Sequence, residues 1–394
     1  MLTKFTVTAF KSLDRVEVEL GQVNVFIGPN GSGKSSFLEA LGVVGAAAFG
    51  RVDDEALLRR GVRPGVPQLY KSSFMGNKPA AEIRFHAEAG KASYDVGMFN
   101  PSDDPQPAWR FHTEKLLVDG KKLVGRSHRN LDKSNPEAGL AALKLYNMPS
   151  DSPAARLLEL LRNYGIYCPN TPTLRGLIPD PQQREPVGLS GGRLPEAVSE
   201  LLRRNKGDSA LRRVASDIFS LIDWASSFGA ADAAAMPLSP AVATSHRVLR
   251  FRDRFMEDGR NILTGYDASE GALYVLYTAV LVLHEKAPRL VAIDNADHGL
   301  NPRLVRRLME LICRWVLAAN SGKQLLMTSH NPLVLDGLPL LDNRVRLFSV
   351  DRDNQGKTVV TRVRVTEELT AKAKEGWTLS RLWVRGDIGG VPNV

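Results

Sequence analysis

Cysteine is almost absent from the 394 residues: Cys168 and Cys313 are the only two. Two thiols exclude a disulfide framework and a four-thiolate zinc site, and they suit a reducing compartment. No apolar run approaches the roughly 18 residues that a membrane span needs. The start, Met1-Leu2-Thr3-Lys4-Phe5, leads into a strand-like pattern rather than a leader peptide, so a cytoplasmic protein with no membrane attachment is expected. Heptads, internal repeats and low-complexity tails are lacking as well, which excludes a long coiled-coil arm. What is present is ordinary for a chain with a sizeable core, 43% hydrophobic and 24% charged. Lys plus Arg number 52 against 43 Asp plus Glu, a formal charge of +9. That excess is compatible with a polyanionic partner such as nucleic acid.

The chain opens with alternation. Phe5, Val7 and Ala9, then Val16, Val18 and Leu20, predict a hairpin. A third apolar run, Val23 to Ile27, ends at Gly28-Pro29-Asn30-Gly31-Ser32-Gly33-Lys34-Ser35, and a helix follows through Phe37, Leu38, Leu41 and Val44. Residues 81 to 125 read as short strands separated by turns. From about Pro136 to Phe228 the period is helical, with a Pro- and Gly-rich connector over 169–195, and 230–240 reads as loop. Val248 to Phe251 is strand-like and leads to a long apolar helix, Ala272 to His284. The last third alternates strand (290–293), helix (303–319) and strand (324–328), then closes in a hairpin about Asp353-Asn354-Gln355-Gly356. Such alternation implies a parallel sheet with helices on its faces, an α/β fold.

The Gly28 to Ser35 segment fits GxxxxGK[ST] between a strand and a helix, the context a phosphate-binding P-loop requires. Its glycines let successive N–H groups converge on phosphate oxygens. Asn30, Gly31, Ser32, Gly33, Lys34, Ser35 and Ser36 are the candidate ATP contacts, with Lys34 reaching the β- and γ-phosphates and Ser35 taking a place on Mg²⁺. Leu290-Val291-Ala292-Ile293-Asp294 delivers a carboxylate at a strand's C-terminal end, where ligands gather, so Asp294 is the natural Mg²⁺ partner. A second apolar strand, Gln324 to Thr328, runs into Ser329-His330, placing His330 to contact a γ-phosphate or orient the attacking water.

These elements together resemble the ABC-type ATPases of the RecF, SMC and OLD branch. Phe10-Lys11-Ser12-Leu13, the Gly28 to Ser35 loop, the Asp294 strand and His330 stand in that branch's order, and Leu382 to Gly390 looks like the tail of its small bacterial members from phage-defence operons. The resemblance covers both ends of the chain well and the middle poorly. It implies a P-loop NTPase head with a mixed β lobe and a helical insert, divided as 1–130, 131–245 and 246–394. It further implies an ATP sandwich between two heads, hence a homodimer or higher oligomer, with a signature loop from one copy closing on the other's nucleotide. Two segments compete for that loop. Leu189-Ser190-Gly191-Gly192-Arg193 matches by letters but stands far upstream of Asp294, whereas Asp267-Ala268-Ser269-Glu270-Gly271 opens the apolar helix that runs into the Asp294 strand. Ser269 can cap that helix, whose first N–H groups attract phosphate, so Ser269, Glu270 and Gly271 are favoured.

One departure stands out. The family places a glutamate after the Mg²⁺ aspartate to polarise water, and here the residue is Asn295. An amide orients water but cannot take its proton at neutral pH. Asp297, at the position of the family's second acidic residue, and His330 are the alternatives, and slow turnover is expected. By the same resemblance Phe10 or Lys11 lies beside the adenine, Phe10 being equally suited to the core, and Gln68 stands where a Mg²⁺-sensing glutamine is found. Arg250, Arg252 and Arg254, together with Arg203-Arg204-Asn205-Lys206 and Arg212-Arg213, are the basic clusters that a DNA partner would use. No second cluster of metal-binding carboxylates or histidines supports a nuclease in this chain. The resulting expectation is an ATP-dependent sensor or regulator of anti-phage defence that gates a separate nuclease or toxin. A RecF-like DNA-repair ATPase and an ATP-binding scaffold share the same motifs.

Overall fold

The computed structural model describes residues 1–394 except 77–79, 128–134, 205–208, 241, 243–245, 319–320, 368, 370–371, 373–374 and 390–394. Its centre is a six-stranded sheet in the order β15-β14-β3-β13-β12-β8. β3 (Val23–Ile27), β8 (Gly165–Tyr167), β12 (Leu290–Ile293), β13 (Gln324–Ser329) and β14 (Val345–Arg352) run parallel, and β15 (Thr358–Val363) pairs antiparallel at the edge. β3, β12 and β13 are buried along their whole lengths, which is why their apolar residues run on without a polar face: both faces are covered.

On one face the helix Lys34–Phe49 lies between this sheet and a second, antiparallel one in the order β2-β1-β4-β5-β6-β7. That sheet comprises β1 (Lys4–Phe10), β2 (Leu13–Glu19), β4 (Ile83–Ala89), β5 (Ala92–Phe99), β6 (Arg110–Val118) and β7 (Lys121–Arg126). The opening hairpin has the register its alternation implies, Phe5 opposite Val18 and Val7 opposite Val16. Phe26 of β3 joins the core on this side, while Val23, Val25 and Ile27 join the core on the other. There the helices Leu194–Arg204, Ser209–Leu221, Glu270–Leu283 and Pro302–Leu317 pack. Asp217 ties two of them together by accepting from Trp315 Nε1 at 3.0 Å and pairing with Arg314.

The resemblance implied a helical insert between 130 and 245. β8 lies inside 131–245 yet is a strand of the central sheet, and the helix Pro153–Arg162 joins the core around the P-loop helix. Helical periodicity over the stretch hid three consecutive buried strand residues. β9 (Ala225–Asp232) is likewise a strand where helix and loop were expected. It pairs with β10 (Arg247–Asp253), which pairs with β11 (Ile262–Thr264), in a small antiparallel sheet. Its run of Ala, Ser and Gly carries no alternation to read, so pairing with β10 decides its conformation. Within the basic clusters, Asn205 and Lys206 lie outside the described residues. No helix among the described residues is long and apolar enough to cross a membrane.

Candidate functional site

β3 ends by handing the chain to the loop Gly28–Gly33, which turns into the helix beginning at Lys34. Gly33 has φ +112°, and a Cβ there would sit 2.2 Å from Thr358 Oγ1; a Cβ on Gly28 would meet the Val350 carbonyl oxygen at 2.1 Å. Neither position admits a side chain, so the loop's path is set by β14 and β15 behind it. Thr358 Oγ1 donates to the Ser32 carbonyl (2.7 Å) and can accept from the Ser12 hydroxyl (2.8 Å), and Arg352 Nε donates to the Gly31 carbonyl (2.9 Å). These contacts hold the loop from outside and leave its inner surface open.

Lys34 is 5% exposed, and its ammonium donates to the carbonyls of Gly28 (2.8 Å) and Pro29 (2.9 Å). Burial lowers its pKa to about 8, against the pull of Asp294 and Asp297. Ser35 Oγ donates to Asp294 at 2.9 Å, and Thr328 Oγ1 donates to the same carboxylate at 2.5 Å. The Thr328 hydroxyl also accepts from the Asn295 N–H at 2.8 Å. Asn295 is left-handed, φ +55°, a conformation asparagine tolerates better than most residues. Asp297 receives a long contact, 3.4 Å, from the His330 N–H, while its Oδ1 is buried without a partner among the described residues. The His330 imidazole is held below its ordinary pKa, first by burial and then by the Lys34 charge, so it is neutral at neutral pH.

The structure therefore brings Lys34, Ser35, Asp294, Asn295, Asp297 and His330 to the C-terminal ends of β3, β12 and β13. The Ser32 hydroxyl is buried there with no partner among the described residues. Orphaned donors and acceptors around one loop fit a phosphate with a hard cation. Ser35 and Asp294 supply two oxygen ligands, few enough that phosphates and water must complete a Mg²⁺ shell. No group of three or more His, Cys, Asp or Glu able to hold a metal occurs among the described residues, so this site is not a protein-only metal centre.

The other expected residues make no described hydrogen bond to Ser35 or Asp294. Lys11 donates to Glu39 of the P-loop helix at 2.5 Å, and its ammonium stands over the Phe10 and Tyr70 rings. Glu39 also takes Arg63 Nε at 2.6 Å. Burial would raise the Glu39 carboxyl, but its pairs with Arg63 and Lys11 bring it below the usual value. Phe10 is wholly buried and belongs to the core. Gln68 is exposed on the short helix Pro67–Tyr70, beside Lys11, Ser12 and Arg352, and has no described contact with Ser35 or Asp294. Ser36 is half-buried in the first turn of the P-loop helix.

The two signature candidates differ in the state of their backbone donors. At 190–192 the three N–H groups all point to Asp180 Oδ2, at 2.9, 3.1 and 3.1 Å, and Tyr277 donates to the Leu189 carbonyl. That nest is filled from within the chain. Ser269, by contrast, is exposed at the start of the helix Glu270–Leu283 with no side-chain cap bond. Glu270 accepts from the Thr171 hydroxyl, and Gly271 packs against Leu304.

Sequence reasoning missed Thr328, Arg63 and the Ser12–Thr358–Arg352 brace. Thr328 was within the strand already singled out. Its role follows from register, since Ile293 lies opposite Met327 and Asp294 therefore falls beside Thr328.

Residues 1–55 match the family described as "AAA ATPase domain", and residues 176–336 match "AAA domain, putative AbiEii toxin, Type IV TA system". No curated protein matches. Among solved structures the chain is similar to an SMC head bound to the C-winged helix domain of ScpA, with TM-score 0.55, 11% identity, and coverage of 94% of this chain and 99% of that one. An SMC head domain from Thermotoga maritima gives TM-score 0.44 at 15% identity, covering 92% and 99%. A Pyrococcus furiosus Smc head with an extended coiled coil, bound to the C-terminal domain of ScpA, gives 0.49 at 11%, covering 95% and 99%. The first of these likenesses is one of fold.

Proposed function

We propose that this chain, two parts of which match AAA ATPase family models and whose fold is like that of an SMC head, is an ABC-type ATPase that binds ATP between two copies and hydrolyses it slowly. ATP-driven assembly would then be its output. The observation that carries this reading is the Ser35–Asp294 pair, 2.9 Å apart, beside the buried and unpartnered Ser32 hydroxyl and the buried Lys34.

In this reading Lys34 exchanges the Gly28 and Pro29 carbonyls for the β- and γ-phosphates. Ser35 and Asp294 hold Mg²⁺, which neutralises phosphate charge when bound. Thr328 keeps Asp294 aimed by donating to its carboxylate. The Asn295 amide orients a water, and the neutral His330 imidazole lies close enough to Lys34 to feel its charge. Asp297 Oδ1 is the acceptor left over and is the candidate base. Across the interface, Ser269, Glu270 and Gly271 of one copy present helix-start N–H groups to the γ-phosphate on the other. The filled nest at 190–192 favours 267–271 for that task.

The description of the family that residues 176–336 match, a putative AbiEii toxin of a type IV TA system, supports a toxin–antitoxin or defence setting. The head would there sense a trigger and gate a separate effector, a nuclease or toxin, near DNA. A scaffold that binds ATP with little turnover is the second reading, and Asn295 favours it.

Mass measurement with and without ATP tests the sandwich. Wild type is expected to shift to a dimer or larger species with ATP, whereas Lys34→Ala, Gly271→Arg and Ser269→Arg stay at the smaller mass. Ser269 is exposed, so its replacement spares the core if Gly271→Arg disturbs Leu304. Identical behaviour of all four proteins would defeat the proposal. Phosphate release by the assembled wild type selects the ATPase over the scaffold.

The Lys34 ammonium gives a pH signature. In the free protein it loses its proton near pH 8 rather than at 10.5, and bound phosphate favours the charged form. Binding above pH 8 therefore takes up a proton, and ATP affinity is expected to fall about tenfold per pH unit there. Titration calorimetry from about pH 7 to about pH 9.5 reads this slope. Lys34→Ala should show none, and a flat wild-type profile would contradict the assignment.

A further inference from the structure

At the far end of the P-loop helix is a cavity of about 490 Å³ lined by Phe49 and five arginines, Arg51, Arg59, Arg60, Arg162 and Arg184. That volume is in the range of small-molecule sites. The helix is 16 residues long, so at ~1.5 Å per residue the cavity lies about 24 Å from Lys34. It is a different place from the nucleotide loop.

Three carboxylates also line it, and each is already committed. Asp53 pairs with Arg51 at 2.7 Å, Glu159 with Arg162 at 3.2 Å, and Glu55 with Arg59. Arg60 and Arg184 have no carboxylate partner among the described residues. Arg184 donates to the carbonyls of Tyr164 (2.8 Å), Arg59 (3.3 Å) and Asn163. Arg60 is only 4% exposed; it donates to the carbonyls of Ala56 (2.8 Å) and Arg162 (3.1 Å), and its Nε has no partner among the described residues. The Phe49 ring holds two of these cations in place, with the Arg60 and Arg162 guanidinium carbons 5.4 and 5.2 Å from its centroid.

A buried cation surrounded by others is costly unless an anion meets it, and an arginine cannot readily escape by losing its proton. Here burial and the charges of Arg184, Arg162 and Arg59 push even the Arg60 pKa down to about 9. Planar guanidinium forks with free N–H edges suit a phosphate better than a single-point acceptor. We propose that this cavity is a second anion site, separate from the P-loop, that takes a small phosphate-bearing ligand of two or more negative charges. The competing account is that the arginines serve only to cap the carbonyls at the ends of the two neighbouring helices.

Inorganic pyrophosphate is the probe, titrated by calorimetry into the full chain carrying Lys34→Ala, so that the P-loop contributes little. Saturable binding is expected in that background. Adding Arg59→Glu should weaken it at least about tenfold, because one charge reversal at the rim costs on the order of 1.4 kcal/mol or more. Arg60→Gln should weaken it similarly. Arg59 is 58% exposed and pairs only with Glu55, so its variant folds even if Arg60→Gln does not; a thermal melt checks both. No binding in the Lys34→Ala protein, or unchanged affinity after Arg59→Glu, overturns the proposal and leaves the capping account.

Discussion

Lys34→Ala is expected to abolish measurable ATP hydrolysis and to weaken ATP binding by about 10²- to 10⁴-fold. The estimate follows from two charge-assisted hydrogen bonds, each about 1.5–3 kcal/mol, that the ammonium would make to phosphate. The side chain is already buried and already aimed across the loop, at the Gly28 and Pro29 carbonyls. Little ordering remains to oppose binding when phosphate replaces those carbonyls. The substitution also removes a buried charge whose pKa is depressed, so the folded protein should lose little stability or gain some. Calorimetry for affinity and a thermal melt for stability separate the two effects. A mutant that melts normally and still binds ATP like wild type would remove the P-loop from the mechanism.

Asn295→Glu is the second large effect, and it runs upward. A positioned general base contributes about 10²- to 10⁴-fold, and the wild-type amide cannot supply it. The Asn295 N–H is pinned to Thr328 Oγ1, and the next strand residue but one, Ile293, is fixed in register with Met327. A carboxylate at 295 would thus start from a defined backbone position beside Asp294. The left-handed φ of +55° opposes the change, at a cost on the order of 1–2 kcal/mol of stability. Single-turnover phosphate release should rise while the melting temperature falls slightly. If turnover instead stays at the wild-type level, a group other than residue 295 already acts as base, and the Asp297→Ala and His330→Ala variants identify which.

Much of this site was legible in the letters because its parts are local. The P-loop is one contiguous segment, and the strands that lead to Asp294 and His330 are short, wholly buried runs with apolar centres that need both faces covered. The rest depended on pairing that no local pattern contains. Thr328 matters only because β12 and β13 run parallel in one register, and β8 is a strand only because β12 offers it an edge. Lys11 was expected beside the nucleotide base, yet its partner Glu39 lies in the apolar P-loop helix, where nothing in the sequence marks a carboxylate as a counter-charge. The 189–193 segment shows the converse. Its letters resemble a transporter signature, but a single aspartate upstream, Asp180, occupies its donors. Both facts arise from side chains that are distant in sequence.

Glu39 binds Lys11 from the turn after β1 and Arg63 from the segment beyond the P-loop helix, all within one buried carboxylate's reach. The Arg63 guanidinium also feels the Asp294 carboxylate. A change of charge at Asp294 is thus felt at Arg63, which shares Glu39 with the first hairpin of the antiparallel lobe. The lobe and the nucleotide loop are thus linked through a single carboxylate, and neutralising Glu39 would leave Lys11 and Arg63 without the acceptor they share.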